Sequence, residues 1–312
     1  MSHDTEPIYL LAFDHRGSFQ KKLLGIAGEP TAEDVARIAQ AKRIIFDGFR
    51  KAIEDGLPLE GAGILVDEQF GAGIAREALE LGAQLAMPVE KSGQNEFDFE
   101  FGERFGDHIT AFDPTYSKVL VRYNAEGDAE MNRRQAARLA QLGDWLRRGA
   151  REFLFELLVP AEPHQLEQVD GDQDRYDREL RPNLMMAAIE ECQAAGVEPD
   201  IWKIEGLDAR EDCVRLAETA LAGGRDHVRC VVLGRGGDEA KVIAWLQAGA
   251  GVPGFVGFAV GRTIWWDPLE GWLAGTPAED AAATIAGNYR RLVDAYEATA
   301  KHSHMTTTER TR

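Results

Sequence analysis

PDIWKIEGLD, residues 199–208, sets a lysine between Trp202 and Ile204 in what otherwise reads as a buried strand. Side chains alternate along a strand, so Ile201, Lys203 and Glu205 share one face while Trp202 and Ile204 take the other. With the larger apolar pair packed against helices, Lys203 points into whatever the opposite face encloses. What that is follows from the rest of the chain. Seven further apolar runs read as strands: IYLLAF (8–13), GAGILVD (61–67), AQLAMPVE (83–90), KVLVRY (118–123), EFLFELLV (152–159), HVRCVVLG (227–234) and GFVGFAVG (254–261). Helical periodicity fills most of the gaps, over 33–55, 71–82, 128–148, 177–195, 209–222, 237–248 and 278–299, and only the segment after the third strand is irregular. Eight strands with helical crossovers predict an α/β fold, the (βα)8 TIM barrel. An open doubly wound sheet is the competing architecture, but no G-x-G-x-x-G follows the first strand. With no linker and no internal repeat, residues 1–300 are expected to form one barrel domain, and the polar stretch 301–312 a disordered tail.

Composition narrows the partners. The chain has 312 residues, 44% hydrophobic and 28% charged, enough for a large core. A formal net charge of -18 repels nucleic-acid backbones and anionic membrane surfaces, so neither is an expected partner. The start, MSHDTEPIYLLAFDH, lacks a basic region followed by a long apolar segment, and no run approaches the roughly 18 apolar residues of a membrane span. A cytoplasmic location is the expectation. Cys192, Cys213 and Cys230 lack CxxC spacing and read as reduced, buried thiols.

In such barrels active sites lie at the carboxyl ends of the strands, so ionisable residues there call for a chemical reading. Desolvation lowers the pKa of a buried ammonium and populates the neutral amine, the nucleophile that forms a Schiff base with a ketone. An ion pair with a neighbouring carboxylate is the alternative for Lys203. Four other strands bring charges to the same rim: Glu156 on the fifth, Lys118 on the fourth, Glu90 and Lys91 on the third, and Asp14, His15 and Arg16 on the first. Schiff-base chemistry requires an acid/base and a second cation, roles that suit Glu156 and Lys118. Lys118 opens its strand, towards the wrong end, which leaves Arg122 as its alternative. The last two strands end in LGRGGDEAK (233–241) and VGRTIWWDP (260–268). Glycine-rich turns there suit phosphate, through the backbone of Gly234, Gly236 and Gly261 and the side chains of Arg235 and Arg262. A divalent-metal reading would use Asp14, His15, Asp67 and Glu90, but no HxH or HExxH spacing supports it, and no metal is predicted.

The ordered series LAFDHRGSF, ILVDEQFG, PVEKSG, SKVLVRYN, FLFELLVP, DIWKIEG, LGRGG and FAVGRTIW, spanning about residues 7–297, resembles class I aldolases of the tagatose-1,6-bisphosphate aldolase kind. It is most similar to the branch found as the 2-deoxy-5-keto-gluconate 6-phosphate aldolase domain linked to inositol-catabolism kinases. The resemblance implies Lys203 as Schiff-base former, Glu156 as acid/base, Lys118 as assisting cation and Asp14 near the substrate hydroxyls. Gly234, Arg235, Gly236, Gly261 and Arg262 would hold phosphate, with Glu90 and Arg16 also at the substrate. It further implies a phosphorylated ketose as the small-molecule partner, no cofactor, a homo-oligomer by analogy with other barrel aldolases, and cleavage to dihydroxyacetone phosphate and malonate semialdehyde. FDHRG at the first strand, Asn124 after the fourth and WKIEG at the sixth depart from the tagatose enzymes. Another ketose phosphate, such as tagatose 1,6-bisphosphate, and a non-catalytic phosphosugar-binding barrel are the alternatives.

Overall fold

The structure is a computed structural model that describes residues 6–310. The amino-terminal MSHDT, part of the stretch read for a leader, and the last two residues of the expected tail lie outside the described residues. Eight parallel strands close into a barrel in chain order: β1 (Ile8–Ala12), β2 (Ala62–Leu65), β3 (Gln84–Pro88), β4 (Tyr116–Arg122), β5 (Glu152–Leu158), β6 (Ile201–Glu205), β7 (Arg229–Leu233) and β8 (Phe255–Val260). This is the (βα)8 TIM barrel that the apolar runs predict. The outer ring comprises α1 (Ala32–Glu54), α2 (Glu68–Leu81), α3 (Phe105–Phe112), α4 (Ala129–Arg148), the short α5 (Pro163–Gln168) and α6 (Gln173–Arg175), α7 (Arg181–Ala194), α8 (Arg210–Leu221), α9 (Glu239–Gly249), α10 (Arg262–Leu273) and α11 (Ala278–Arg310).

Local chemistry starts these helices where the chain leaves the barrel. Asp67, Asp128 and Asp238 cap α2, α4 and α9 by accepting from the backbone N–H three residues on, and Thr31 with Asp34 forms a capping box on α1. The predicted helix over 177–195 is divided. Residues Tyr176–Leu180 form a wide turn, and α7 begins beside Pro182, which is tolerated only in a first turn. The carboxyl-terminal helix outruns its predicted end. It continues to Arg310 within the described residues, and Lys301 pairs with Glu297 one turn back at 2.9 Å.

Two apolar layers follow from strand alternation. Trp202, Ile204 and their counterparts face the helices in the larger cluster, while Ile8, Leu10, Ala12, Leu65, Ala86, Tyr116, Leu154, Ile201, Val231, Val256 and Ala259 form a separate plug inside the barrel. One inward position further along β5 and β6 come Glu156 and Lys203. The polar layer therefore stands on a dry floor. Cys192, Cys213 and Cys230 are free and buried, and among the described residues no helix is long and apolar enough to cross a membrane.

Candidate active site

The register places Glu156 directly opposite Lys203 on the neighbouring strand. Lys203 Nζ lies 2.9 Å from Glu156 Oε2, and the lysine is only 3% exposed. Of the two readings of this lysine, the paired one describes the contact: it is buried, inward-facing and held by a carboxylate. Lys118 is the hub of the cluster. Its ammonium lies 2.8 Å from Asp14 Oδ2, 2.8 Å from Glu90 Oε1 and 3.0 Å from Glu156 Oε2. Its early place on β4 is no obstacle, because a lysine side chain is long enough to reach the next layer from a position level with Pro88 and Leu154. Arg122, the alternative, instead donates to the Gln94 carbonyl at 2.6 Å.

Two ammonium groups thus meet three carboxylates, and burial opposes every charge among them. Burial weighs against Lys118, but Asp14, Glu156 and Glu90 overcome it and hold the ammonium well above its usual range. Burial also opposes the Asp14 and Glu156 carboxylates, yet the neighbouring lysines leave both below the ordinary carboxylate range. Glu90 goes the other way. Its desolvation exceeds the pull of Lys118 and Arg16, so its pKa is raised, and its Oε2 is buried without a hydrogen-bond partner.

The cluster opens into a cavity of 350 Å³ lined by Asp14, His15, Glu90, Lys118, Glu156 and Lys203, with Lys21, Lys22 and Arg122 on its rim. His15, expected at this rim and weighed as a metal ligand, is part of this wall. Burial, reinforced by Arg262 and opposed by Asp14, pulls its pKa down to about 4. Its Nδ1 lacks a hydrogen-bond partner, and its ring stands edge-on to Trp265 with centroids 5.4 Å apart. The metal-ligand set does not assemble. Asp67 is taken by the buried Lys42, and among the described residues no group of three or more histidine, cysteine, aspartate or glutamate side chains has metal-holding geometry.

The residues expected around phosphate divide. A larger cavity of 870 Å³ runs from the β7 loop along α10 to α11; Gly236, Gly237, Arg262, Thr263 and Lys22 line it together with the carboxylates Asp238, Glu239 and Asp267, and Lys22 also lines the first cavity. Gly236 is left-handed at φ 77°, and a Cβ there would come 2.6 Å from Arg262 Nη2, so only glycine leaves that guanidinium its place. Gly261 allows β1 and the β8 loop to approach, since a Cβ would sit 2.3 Å from the Ala12 carbonyl oxygen. Gly234 answers a packing demand, its missing Cβ lying 3.0 Å from Val260 Cγ1. Arg235 turns away from both cavities to pair with Asp177 and, at 3.0 Å, with Glu205. Arg16 is likewise committed, donating to the Glu90 carbonyl at 2.6 Å and to Glu100 at 2.9 Å. Both arginines have their charges paired within the protein. The sequence by itself does not place Asp177, Glu205 or Lys22 at the site. Glu205 stood in the opening motif on the same face as Lys203, whereas nothing local marks the other two.

Solved structures with the same fold include fructose-bisphosphate aldolase from Plasmodium falciparum, with a TM-score of 0.66 at 14% identity over 94% of this chain and 91% of that one. Fructose-bisphosphate aldolase from Slackia heliotrinireducens has a TM-score of 0.53 at 16% identity, covering 90% and 86% of the two chains. The YdjI aldolase from Escherichia coli K12 has a TM-score of 0.51 at 10% identity, covering 95% and 93%. At these identities the likeness is one of fold. No curated protein matches the sequence. A family model does match, over residues 1–300, and by that match the chain belongs to the family described as "uncharacterized protein conserved in bacteria (DUF2090)".

Proposed function

We propose that the protein is a class I aldolase in which Lys203 condenses with the ketone of a phosphorylated keto sugar. The observation that carries this reading is the buried Lys203 amine, 2.9 Å from Glu156 and open to a 350 Å³ cavity. The reaction begins with loss of the ammonium proton, for which Glu156 is the acceptor at contact distance. The free amine adds to the ketone carbon, and a proton delivered to the carbinolamine oxygen lets water leave. The resulting iminium draws electrons as the bond one carbon beyond its neighbour breaks. The hydroxyl on the departing carbon gives up its proton to Glu156, and that fragment leaves as an aldehyde. Protonation of the enamine, then hydrolysis, frees Lys203 and the keto product.

Lys118 keeps Glu156 and Asp14 ionised for these transfers, and Asp14 is placed to bind substrate hydroxyls. Arg262, with the Gly236–Gly237 backbone, suits a phosphate, while Lys21 and Arg122 suit an anion at the other end of the substrate, Lys22 lining both cavities. An anionic group at each end fits 2-deoxy-5-keto-gluconate 6-phosphate, whose products would be dihydroxyacetone phosphate and malonate semialdehyde. The sequence resemblance points the same way, and the names of the barrel neighbours support aldol cleavage in general, without this substrate. Borohydride added with this ketose should fix a covalent adduct on Lys203, seen as a peptide mass shift, and Lys203→Ala should lose both adduct and turnover. An unmodified Lys203 peptide, or an active Lys203→Ala enzyme, would sink the mechanism.

A further inference from the structure

The acidic stretch 170–181 and the displaced Arg235 are left over from the site, and they touch. Tyr176 is buried and its hydroxyl donates to the Val159 carbonyl at 2.9 Å, which docks the stretch over the end of β5. Arg181, also buried, donates to the Gly206 carbonyl at 2.9 Å and pairs with Asp177 at 3.2 Å. Asp177 so fixed grips the Arg235 guanidinium from one side, and Glu205, itself accepting from Val159 N–H at 2.9 Å, holds it from another. Arg235 has a left-handed backbone, φ 49°, followed by Gly236 at φ 77°. A residue with a Cβ adopts that conformation only when its surroundings hold it there. At this bend the Arg235 carbonyl accepts from Arg262 Nη2 at 3.1 Å, and Thr263 Oγ1 donates to the Gly237 carbonyl at 2.8 Å.

We infer that Asp177 and Glu205 are positioning residues for the anion cradle: by gripping the Arg235 side chain they hold the β7 loop in the bend that fixes Arg262, and Arg235 itself never meets the ligand. The inference rests on the proposed function for the ligand's being a sugar phosphate, and it assigns the two arginines of the G-R turns different tasks. Arg262 lines the 870 Å³ cavity, while Arg235, 30% exposed, is paired with Asp177 and Glu205.

Inorganic phosphate titrated calorimetrically tests the cradle without any turnover, and ketose-phosphate kinetics then locate the defect. Asp177→Asn and Arg235→Ala should each weaken phosphate binding about tenfold and raise KM more than they lower kcat. Arg235→Gly should lose less than Arg235→Ala, because glycine enters the left-handed region freely once the grip is gone. Asp170→Asn, on the exposed part of the same stretch, is the control and should match the parent. Phosphate affinity unchanged in Asp177→Asn overturns the inference. So does an equal, larger loss in both Arg235 variants, which would mark direct contact, and so does a parent protein that binds no phosphate. If the parent binds phosphate as expected but borohydride traps no ketose on Lys203, the aldolase reading falls and the positioning role stands.

Discussion

Around Lys118, Asp14, Glu90 and Glu156 converge within 3.0 Å, and their energies are coupled. Glu156 touches both lysines, so replacing it with glutamine keeps the shape and removes the base. Glu156→Gln should lower kcat by about 10²–10⁴ with KM nearly unchanged, and borohydride should still trap a slowly formed adduct. Stopped-flow trapping against steady-state turnover separates the two steps. His15 makes a second prediction, through pH. Its folded-state pKa of about 4 lies below the ordinary 6.5, so the unfolded chain takes up the proton first. Its contribution is complete above about pH 6.5 and is lost as pH falls towards 4. The lowered Asp14 and Glu156 lose theirs as pH falls from the ordinary carboxylate range, about 4, downward. Urea midpoints between pH 6.5 and 4.5 should therefore fall less in His15→Gln than in the parent protein, and parallel curves would refute the assignment.

Among the helices, α10 shows where local rules yield to packing. Its sequence, GRTIWWDP, reads as a turn, since Pro268 removes a backbone donor and blocks the carbonyl four residues back. That carbonyl belongs to Ile264, and Asn288 on α11 donates to it at 2.8 Å. Burial of Ile264, Trp265 and Leu269 supplies the remaining drive, and Trp265 Nε1 finds the Ala12 carbonyl at 2.9 Å. Asn288→Ala strands the Ile264 carbonyl and should destabilise the protein by about 1–3 kcal/mol, read as a lower urea midpoint. Little change would mean that water replaces the amide. Asn288 lies 24 residues along the chain from the carbonyl it serves, too far for any helix periodicity to register.

At the scale of the molecule, the barrel stacks a polar layer on an apolar plug. Desolvated charges persist there only because partners are prearranged, and the floor is what holds those partners in register. Leu154 sits one inward position below Glu156 on β5. Leu154→Ala should cost about 2–5 kcal/mol in denaturant unfolding and also depress kcat/KM by loosening the Glu156–Lys203 pair above it. A stability loss with kcat/KM intact would separate floor from site. The same stacking gives an acidic protein of net charge -18 a mouth lined by Lys21, Lys22 and Arg122, so attraction for an anion is local and works against the overall field.

Period-two alternation and apolar runs carried the eight strands, their inward faces and hence the neighbourhood of Lys203, Glu156, Glu90 and Asp14, because those signals depend only on residues adjacent in the chain. Whether an inward charge is free or spoken for depends on residues far away in sequence. Arg235 and Arg262 stand in near-identical G-R turns, yet one is claimed by Asp177, 58 residues earlier, while the other keeps to the cavity. Lys118 and Arg122 could be ranked only once the barrel closed and brought Asp14 from 104 residues away. Electrostatic pairing is set by distance in space, and tertiary structure alone supplies that distance.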